Sequence, residues 1–189
     1  MKTLLFATAL STVIASERAS EHKIEKFNHA EKFIWPKGYN PVESKFYVCN
    51  EIDIAASPEQ VWKILIDAKQ WDQWYKGASK VTLINPDALT LAAGDSFQWK
   101  TMGLDFISEI QAFEPNRLLA WESKKKSIRG YHAWLIIPTE AGCRVITAES
   151  QNGWLTFFEK LFQGKKLSRL HDEWLAGLKE KAEEGLGAK

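Results

Sequence analysis

The sequence predicts an α+β fold, in which a curved, seven-stranded antiparallel sheet wraps around a long C-terminal helix and two short helices follow the first strand. Three observations lead to this prediction. A strand-like alternation near residue 50 runs directly into a capped helix. Six further strand-like runs follow at short spacing, which favours an antiparallel meander. Beyond residue 154 the apolar residues change to a helical period.

The first strand and the two short helices follow from local signals. Ile52 and Ile54 alternate with a polar residue, which is the period of a half-buried strand. Ser57 offers a side-chain acceptor to free helical amides, Pro58 suits the first helical position, and Gln60 completes a capping box. We therefore predict a strand over Lys45–Ala55 and helices near Pro58–Ile66 and Ala68–Tyr75.

The middle of the chain consists of six strand-like runs separated by turn residues. The predicted strands are Lys80–Ile84, Asp95–Met102, Asp105–Phe113, Leu118–Ser123, Ile128–Ile137 and Cys143–Ser150. Turn chemistry lies between them at Asn85-Pro86-Asp87, Met102-Gly103, Glu114-Pro115-Asn116 and Glu140-Ala141-Gly142.

The tail carries two apolar stripes at helical spacing, one on each side of Gly164. The stripes are Leu155, Phe158 and Phe162, and then Leu167, Leu170, Trp174 and Leu178. Glycine inside a helix costs about 1 kcal/mol relative to alanine, so we expect a bend or break at Gly164. The second piece is predicted to lie across the concave face of the sheet.

The length of 189 residues indicates one domain, which we place at residues 45–184, after a leader at residues 16–44. Residues 1–15 combine an early lysine, an apolar run and small residues at Val13 and Ala15, so they fit a secretory signal peptide. An uncleaved amphipathic or disordered leader is the competing interpretation. Secretion or a periplasmic location follows from the first interpretation, and a cytoplasmic location from the second. The loop after this region carries Trp35 and Tyr39, which we expect to pin it against the domain.

Composition narrows the classes of function. A formal net charge of +1 leaves no electrostatic footprint for nucleic acid, and we expect the basic run Lys124–Lys126 to be a solvated hairpin tip. The apolar run at the N-terminus is shorter than the roughly 20 residues that span a bilayer. Cys49 and Cys143 fall near opposite ends of neighbouring antiparallel strands, so we predict two free, buried thiols. We expect a monomer or a weak homodimer.

The order of these landmarks resembles the SRPBCC superfamily, the helix-grip fold of START lipid-transfer domains, birch-pollen-allergen-like proteins and polyketide cyclase/dehydrase-like proteins. The resemblance covers roughly Pro41 to Ala182 and is closest to the polyketide-cyclase-like branch. It rests on the segments Ile52–Trp74, Leu91–Thr101, Phe113–Trp121, Gly130–Trp134 and Gly142–Glu149. It implies a pocket for a small hydrophobic molecule between the sheet and the C-terminal helix, without naming the ligand.

Strand alternation predicts which side chains face that pocket. The inward set is Phe97, Trp99, Thr101, Phe106, Ser108, Ile110, Leu119, Trp121, His132, Trp134, Ile136, Val145, Thr147 and Glu149, joined by Trp74, Tyr75, Leu170 and Trp174. The set is mostly aromatic with a few polar groups, which is typical of a small-molecule site. The nine tryptophans of the chain suit the walls of a cavity, although ordinary core packing is the alternative for each. An empty cavity of ~300 Å³ would cost several kcal/mol, so we expect water or an apolar ligand to fill it.

His132 and Glu149 are the candidate acid–base pair. If the last two strands pair residues whose numbers sum to 281, the two side chains lie directly opposite each other. Such a pair could move a proton or orient a ligand, and a structural tether between the strands is the plainer alternative. His171 and Asp172 are expected at the surface or as closing contacts of the tail helix. We predict no metal and no cofactor, because the chain lacks a metal-binding motif spacing, a phosphate-binding glycine loop and a nucleophile elbow.

Three hypotheses of function remain. The first is a binding protein for a small apolar or aromatic molecule such as a lipid, an isoprenoid or a polyketide-like compound. The second is a cyclase or dehydratase that uses His132 or Glu149. The third is an interaction module that recruits a partner or a membrane through the loop Trp35–Pro41 or the segment Trp154–Phe158.

Overall fold

The computed structural model describes residues 29–126, 128–153 and 164–184. Its strands are β1 (Phe46–Ile54), β2 (Ala78–Leu83), β3 (Ser96–Thr101), β4 (Leu104–Glu114), β5 (Leu118–Lys125), β6 (Ile128–Thr139) and β7 (Gly142–Asn152). Its α-helices are α1 (Pro58–Ile66), α2 (Trp71–Trp74) and α3 (Gly164–Glu183), and 3₁₀ turns lie at Ala30–Lys32 and Ala68–Gln70.

The strands form one antiparallel sheet in the order β1-β7-β6-β5-β4-β3-β2, so the first and last strands are neighbours. β4 and β5 shift register between Ile110 and Ala112, and β2 and β3 shift between Ser79 and Thr82. Such irregularities bend a strand and increase its twist, which helps the sheet to curve. The predicted α+β class, with a curved sheet against a long C-terminal helix, is confirmed.

The predicted capping box begins α1. The Ser57 side chain accepts a hydrogen bond from the Gln60 amide at 3.4 Å, and the Gln60 side chain accepts one from the Ser57 amide at 3.0 Å. The helix predicted over Ala68–Tyr75 is instead a 3₁₀ turn followed by the short helix α2. The indole of Trp71 donates to the Leu65 carbonyl at 3.0 Å, which fixes the bend between α1 and α2.

Helix α3 packs mainly along β1 and α1. Its buried stripe consists of Leu167, His171, Trp174, Leu175, Leu178 and Ala182. Polar contacts align it with β1: Asn50 donates to Asp172 at 2.7 Å, and the Ala55 amide donates to Glu183 at 2.7 Å. The stripe predicted at Leu155, Phe158 and Phe162 lies outside the described residues.

The sheet is buried on both faces along β5, β6 and β7. Its outer face carries an apolar cluster of Leu118, Ala120, Tyr131, Ala133, Leu135, Ile146 and Ala148, which Phe33 and Tyr39 cover from the N-terminal side. Trp35 packs edge-on against Tyr131, with ring centroids 5.7 Å apart. We call residues 29–44 the N-terminal strap. The strap buries Tyr39 and partly buries Trp35 against the sheet, so these rings are not offered to a partner as the third hypothesis requires. The segment Trp154–Phe158 lies outside the described residues.

Cys49 and Cys143 are both free, as predicted, but only Cys143 is buried and Cys49 is half-buried. Cys49 pairs across the sheet with Ala148 and Cys143 with Ile54, five positions further along β1. At ~3.3 Å per strand residue the two thiols lie well beyond disulfide reach. Within the described part of the chain, no helix combines the length and the apolar character that a membrane crossing requires.

Candidate functional site

The concave side of the sheet holds a cluster of interlocked aromatic rings. Trp71 lies near its centre, with ring centroids 5.2 Å from Trp174, 5.5 Å from Phe97 and 5.6 Å from Trp121. Trp134 packs against Trp174 from the other side at 5.0 Å. These five side chains are at most 1% exposed. The protein's own rings therefore fill most of the hollow that the sequence predicts.

A cavity of about 50 Å³ remains between the sheet and α3. It lies where the β3–β4 and β5–β6 turns and the end of β7 meet the start of α3. Its walls are Tyr75, Trp99, Thr101, Met102, Leu104, Phe106, Trp121, Ser123, Ile128, Gly130, His132, Glu149, Gln151, Leu167, Leu170, His171 and Trp174. Since one water needs roughly 10–15 Å³ on this measure, the space holds a few waters or a very small molecule.

The predicted inward residues divide according to their position along the strands. Tyr75, Trp99, Thr101, Phe106, Trp121, His132, Glu149, Leu170 and Trp174 line the cavity, whereas Phe97, Ser108, Ile110, Trp134 and Thr147 are buried without lining it. Trp74 is partly buried against the core outside the cavity. Its expected place among the rings is taken by Trp71, which lies outside the predicted inward set.

A short hydrogen-bond chain leads from the core to the cavity wall. The Trp99 indole donates to the Ser108 hydroxyl at 2.9 Å, and the Ser108 and Ser123 hydroxyls lie 2.6 Å apart. Ser108 is therefore a buried partner for the Trp99 indole, and both Trp99 and Ser123, at the two ends of these hydrogen bonds, line the cavity.

His132 and Glu149 lie directly opposite each other on β6 and β7, in the register that the sequence predicts. The Nδ1 atom of His132 is 3.6 Å from Oε2 of Glu149. Thr147 holds the other side of the ring, with its hydroxyl 2.7 Å from Nε2 of His132. Gln151 donates to Oε1 of Glu149 at 2.7 Å, so each partner is oriented from behind.

His171 of α3 completes this cluster from the helix side. Its Nε2 atom is 3.4 Å from Oε2 of Glu149, and its ring stacks on His132 with centroids 4.8 Å apart. The residue is 1% exposed, so the expectation of a surface position is wrong and the alternative of a closing contact holds. Spacing already indicated it, because residues 167, 171, 174 and 178 fall on one helical stripe. Asp172, one position on, is exposed as expected.

Burial and mutual contact set the electrostatics of the cluster. Burial, with His171 nearby, lowers the pKa of His132 to about 3 against the opposing effect of Glu149, so the ring is neutral at pH 7. Burial alone would raise the pKa of Glu149, but the hydrogen bond from His171, the two neighbouring imidazoles and Gln151 together hold it below its ordinary value. A neutral imidazole beside an ionised carboxylate can accept or relay a proton.

Among the described residues, the same three side chains also form a group whose donor atoms are close enough to bind one metal ion. One donor atom each from His132, Glu149 and His171 lies within 4.8 Å of the other two. No motif spacing reveals this set, because the donors come from β6, β7 and α3.

Strand alternation also indicates further residues of the cavity wall. Ser123 and Gln151 lie two positions after a predicted inward residue and Gly130 lies two positions before one, so each shares that residue's face. Gly130 leaves room beside the carboxylate, since a Cβ there would lie 3.1 Å from Oε1 of Glu149. Leu104 begins β4 two positions before Phe106 and so shares its face as well, whereas Met102 closes the cavity from the β3–β4 turn, where alternation gives no signal.

Comparisons with known proteins agree with this architecture. Residues 46–183 match the family described as polyketide cyclase/dehydrase and lipid transport. The chain therefore belongs to this family, within the SRPBCC superfamily. No curated protein sequence matches the chain.

Solved structures share the fold. A hypothetical protein from Helicobacter pylori is 27% identical, with a TM-score of 0.73 over 79% of this chain and 95% of that one. A di-domain ARO/CYC protein from the steffimycin biosynthetic pathway is 14% identical, with a TM-score of 0.62 over 75% of this chain and 52% of that one. Norcoclaurine synthase from Thalictrum flavum is 13% identical, with a TM-score of 0.56 over 75% of this chain and 96% of that one. With the last two proteins, at 14% and 13% identity, this chain shares the fold alone.

Proposed function

We propose that this protein binds a small hydrophobic or aromatic molecule between the sheet and α3. The observation that carries the proposal is the cavity itself, which has indoles on its walls and the His132, Glu149 and His171 cluster on one side. Buried apolar area supplies the affinity, and a few polar groups orient the ligand. Membership of a family described by both cyclase and lipid-transport roles supports this class of ligand.

A ligand larger than a few waters requires the cavity to enlarge, and we expect this at the end that flexible side chains close. Met102 lies in the β3–β4 turn and is half-buried, and Leu104 and Leu170 are also only half-buried. Methionine and leucine change rotamer without moving the backbone, and methionine adapts especially well to irregular ligands. We therefore place the entrance between the β3–β4 turn and the start of α3.

A pair of variants on β3 tests the binding proposal. Thr101→Phe puts a ring into the cavity, whereas Gln98→Phe puts the same ring on the exposed face of the same strand. Titration with a lipophilic naphthalene fluorophore should show displaceable binding in the original chain and in Gln98→Phe. Binding by Thr101→Phe should be at least about tenfold weaker, which corresponds to ~1.4 kcal/mol. Equal binding by all three chains, or none by the original, would contradict the proposal.

A cyclase- or dehydratase-type enzyme is the second candidate, favoured by the buried cluster on the cavity wall. Here the Glu149 carboxylate removes a proton from the substrate carbon next to a carbonyl group, and the aromatic walls hold the substrate in a reactive conformer. Solvent deuterium exchange into the methyl group of acetophenone, followed by NMR, tests this chemistry. The original chain should accelerate exchange and Glu149→Gln should lose that acceleration while still binding the fluorophore. Equal rates in both chains would remove the enzyme candidate and leave binding intact.

A further inference from the structure

His132, Glu149 and His171 bring two imidazole nitrogens and one carboxylate oxygen together at the cavity wall. All three residues are shielded from solvent, with side chains 5%, 15% and 2% exposed. We propose that these three side chains bind one divalent transition-metal ion, with an open coordination position facing the cavity. The proposal stands independently of which organic ligand the cavity holds.

The two carboxylate-to-nitrogen distances in the cluster suit a shared ion better than short hydrogen bonds. Glu149 Oε2 lies 3.6 Å from His132 Nδ1 and 3.4 Å from His171 Nε2. Good N–H···O hydrogen bonds are shorter, with a usual separation of about 2.9 Å. Two ligands that each lie ~2.0–2.1 Å from a tetrahedral ion are about 3.4 Å apart. The carboxylate oxygen therefore already lies at ligand-to-ligand distance from both nitrogens.

Two neighbouring side chains orient the donors as supporting groups do around metal sites. Thr147 contacts Nε2 of His132 at 2.7 Å, which leaves Nδ1 directed at the cluster. Gln151 occupies Oε1 of Glu149 at 2.7 Å, which leaves Oε2 for the cluster. Hydrogen bonds to the far side of an imidazole or carboxylate ligand fix its orientation and raise its affinity for the metal.

His171 is the ligand that moves. Its ring is nearly parallel to that of His132, with an angle of 11° between the planes. An ion lies close to the plane of each imidazole that binds it, so the His171 ring must turn towards the shared point. Its Nδ1 atom has no hydrogen-bond partner among the described residues, so the turn breaks no bond on that side.

Charge favours a cation at this point. Glu149 is a largely buried carboxylate, and its ion-pair partners in the described chain are the two histidines, not a lysine or an arginine. A buried carboxylate needs a paired cation or a metal, because moving an unpaired charge from water into the protein interior costs free energy. A divalent ion held by two neutral imidazoles supplies that compensation directly.

The donor set specifies the class of metal. Two nitrogens and one oxygen without sulfur suit zinc, iron(II), cobalt or nickel. Three protein ligands with a fourth position open to a cavity are the arrangement of catalytic zinc sites, in which water or a substrate oxygen completes the coordination. The ion would polarise an oxygen atom of a ligand in the cavity as a Lewis acid, which the two neutral imidazoles cannot do without it.

Cobalt(II) tests the site because its visible absorption reports tetrahedral nitrogen and oxygen ligands. The probe is Co²⁺ added to the full, tag-free chain after treatment with a chelator and dialysis, followed by Zn²⁺ competition. We expect one ion per chain, visible bands that Zn²⁺ abolishes, and affinity reduced at least about tenfold in His171→Ala and Glu149→Gln. Gln151→Ala, which leaves all three ligands in place, should weaken binding less.

His29→Ala is the matched control. His29 forms a comparable pair with Glu51, with 2.9 Å between Nε2 and Oε2, but this pair lies outside the cluster and has no third donor among the described residues. Its removal should leave the cobalt bands unchanged. Circular dichroism checks that each variant is folded. If a ligand variant does not fold, the weaker cobalt binding expected of Gln151→Ala remains as the test. Failure of the original chain to bind stoichiometrically, or bands that survive both ligand substitutions, would overturn the proposal.

Discussion

Gly177 shows how a single residue sets the distance between two elements. It lies on α3, and a Cβ atom at this position would be 2.7 Å from the backbone carbonyl oxygen of Trp74. That oxygen belongs to the end of α2 and cannot move as a side-chain tip can. The absence of a side chain at Gly177 therefore lets α3 approach α2, which helps to bring Trp174 into the aromatic cluster.

Gly177→Ala should destabilise the protein although alanine is the better helix former. Propensity alone predicts a gain of about 1 kcal/mol, but overpacking against the backbone costs about 1–3 kcal/mol. Urea unfolding should show a lower midpoint with an unchanged slope. Ala176→Gly, at the neighbouring exposed position, calibrates the propensity effect in the same helix. A higher midpoint for Gly177→Ala would show that the two helices separate freely.

The two thiols give a residue-scale prediction with a pH dependence. Burial raises the pKa of both Cys49 and Cys143 to about 11, against about 8.5 for a free thiol. The reactive thiolate is therefore scarce at pH 8 and accumulates only as the pH approaches 11. We expect slow reaction with a disulfide reagent at pH 8 and rapid reaction of both thiols in urea. The single variant Cys143→Ser isolates the half-buried Cys49, which should be the faster of the two.

At the scale of elements, alternation and helical spacing made the site partly predictable. Period-two alternation correctly placed His132 opposite Glu149, because antiparallel register follows from the turn between β6 and β7. The same rule does not say how far five large rings will fill the space between two elements. That depends on side-chain rotamers, and Trp71 enters the cluster because the chain bends between α1 and α2, where its indole donates to the Leu65 carbonyl. The polarity of His171 left a surface position and a closing contact both open, and its spacing on α3 is the signal that favours the closing contact that the structure shows.

Removal of residues 164–189 should prevent folding. Leu167, Trp174, Leu175 and Leu178 are each at most 7% exposed, and burying them contributes ~6–12 kcal/mol at the upper end. This range is comparable to the whole free energy of unfolding of a domain. The shortened chain should lack cooperative thermal unfolding and near-ultraviolet tryptophan signals. A chain that ends at Glu184 keeps α3 and is the control, and cooperative unfolding of the shorter chain would contradict the prediction.

At the scale of the whole molecule, the sheet is a central layer between two coverings. α3 and the aromatic cluster cover its concave face, and the N-terminal strap covers the outer cluster of β5, β6 and β7. This explains why the predicted strands Ile128–Ile137 and Cys143–Ser150 are apolar on both faces, unlike a sheet with one face in water. Leader residues 29–44 thus function as part of the fold. Removal of residues 1–15 as a signal peptide would leave the strap in place.

Chains that begin at residue 16 and at residue 45 test this architecture. The chain from residue 16 retains the strap and should unfold at the same urea concentration as the original. The chain from residue 45 loses Phe33 and Tyr39, each at most 6% exposed, which corresponds to about 3–6 kcal/mol of buried apolar contact. It also exposes the outer cluster, so we expect a lower midpoint and self-association in light scattering. Ile34→Ala, at a strap residue that is 83% exposed, should change neither measurement. Equal midpoints and a monomeric state for both shortened chains would show that the strap contributes nothing to the stability of the sheet.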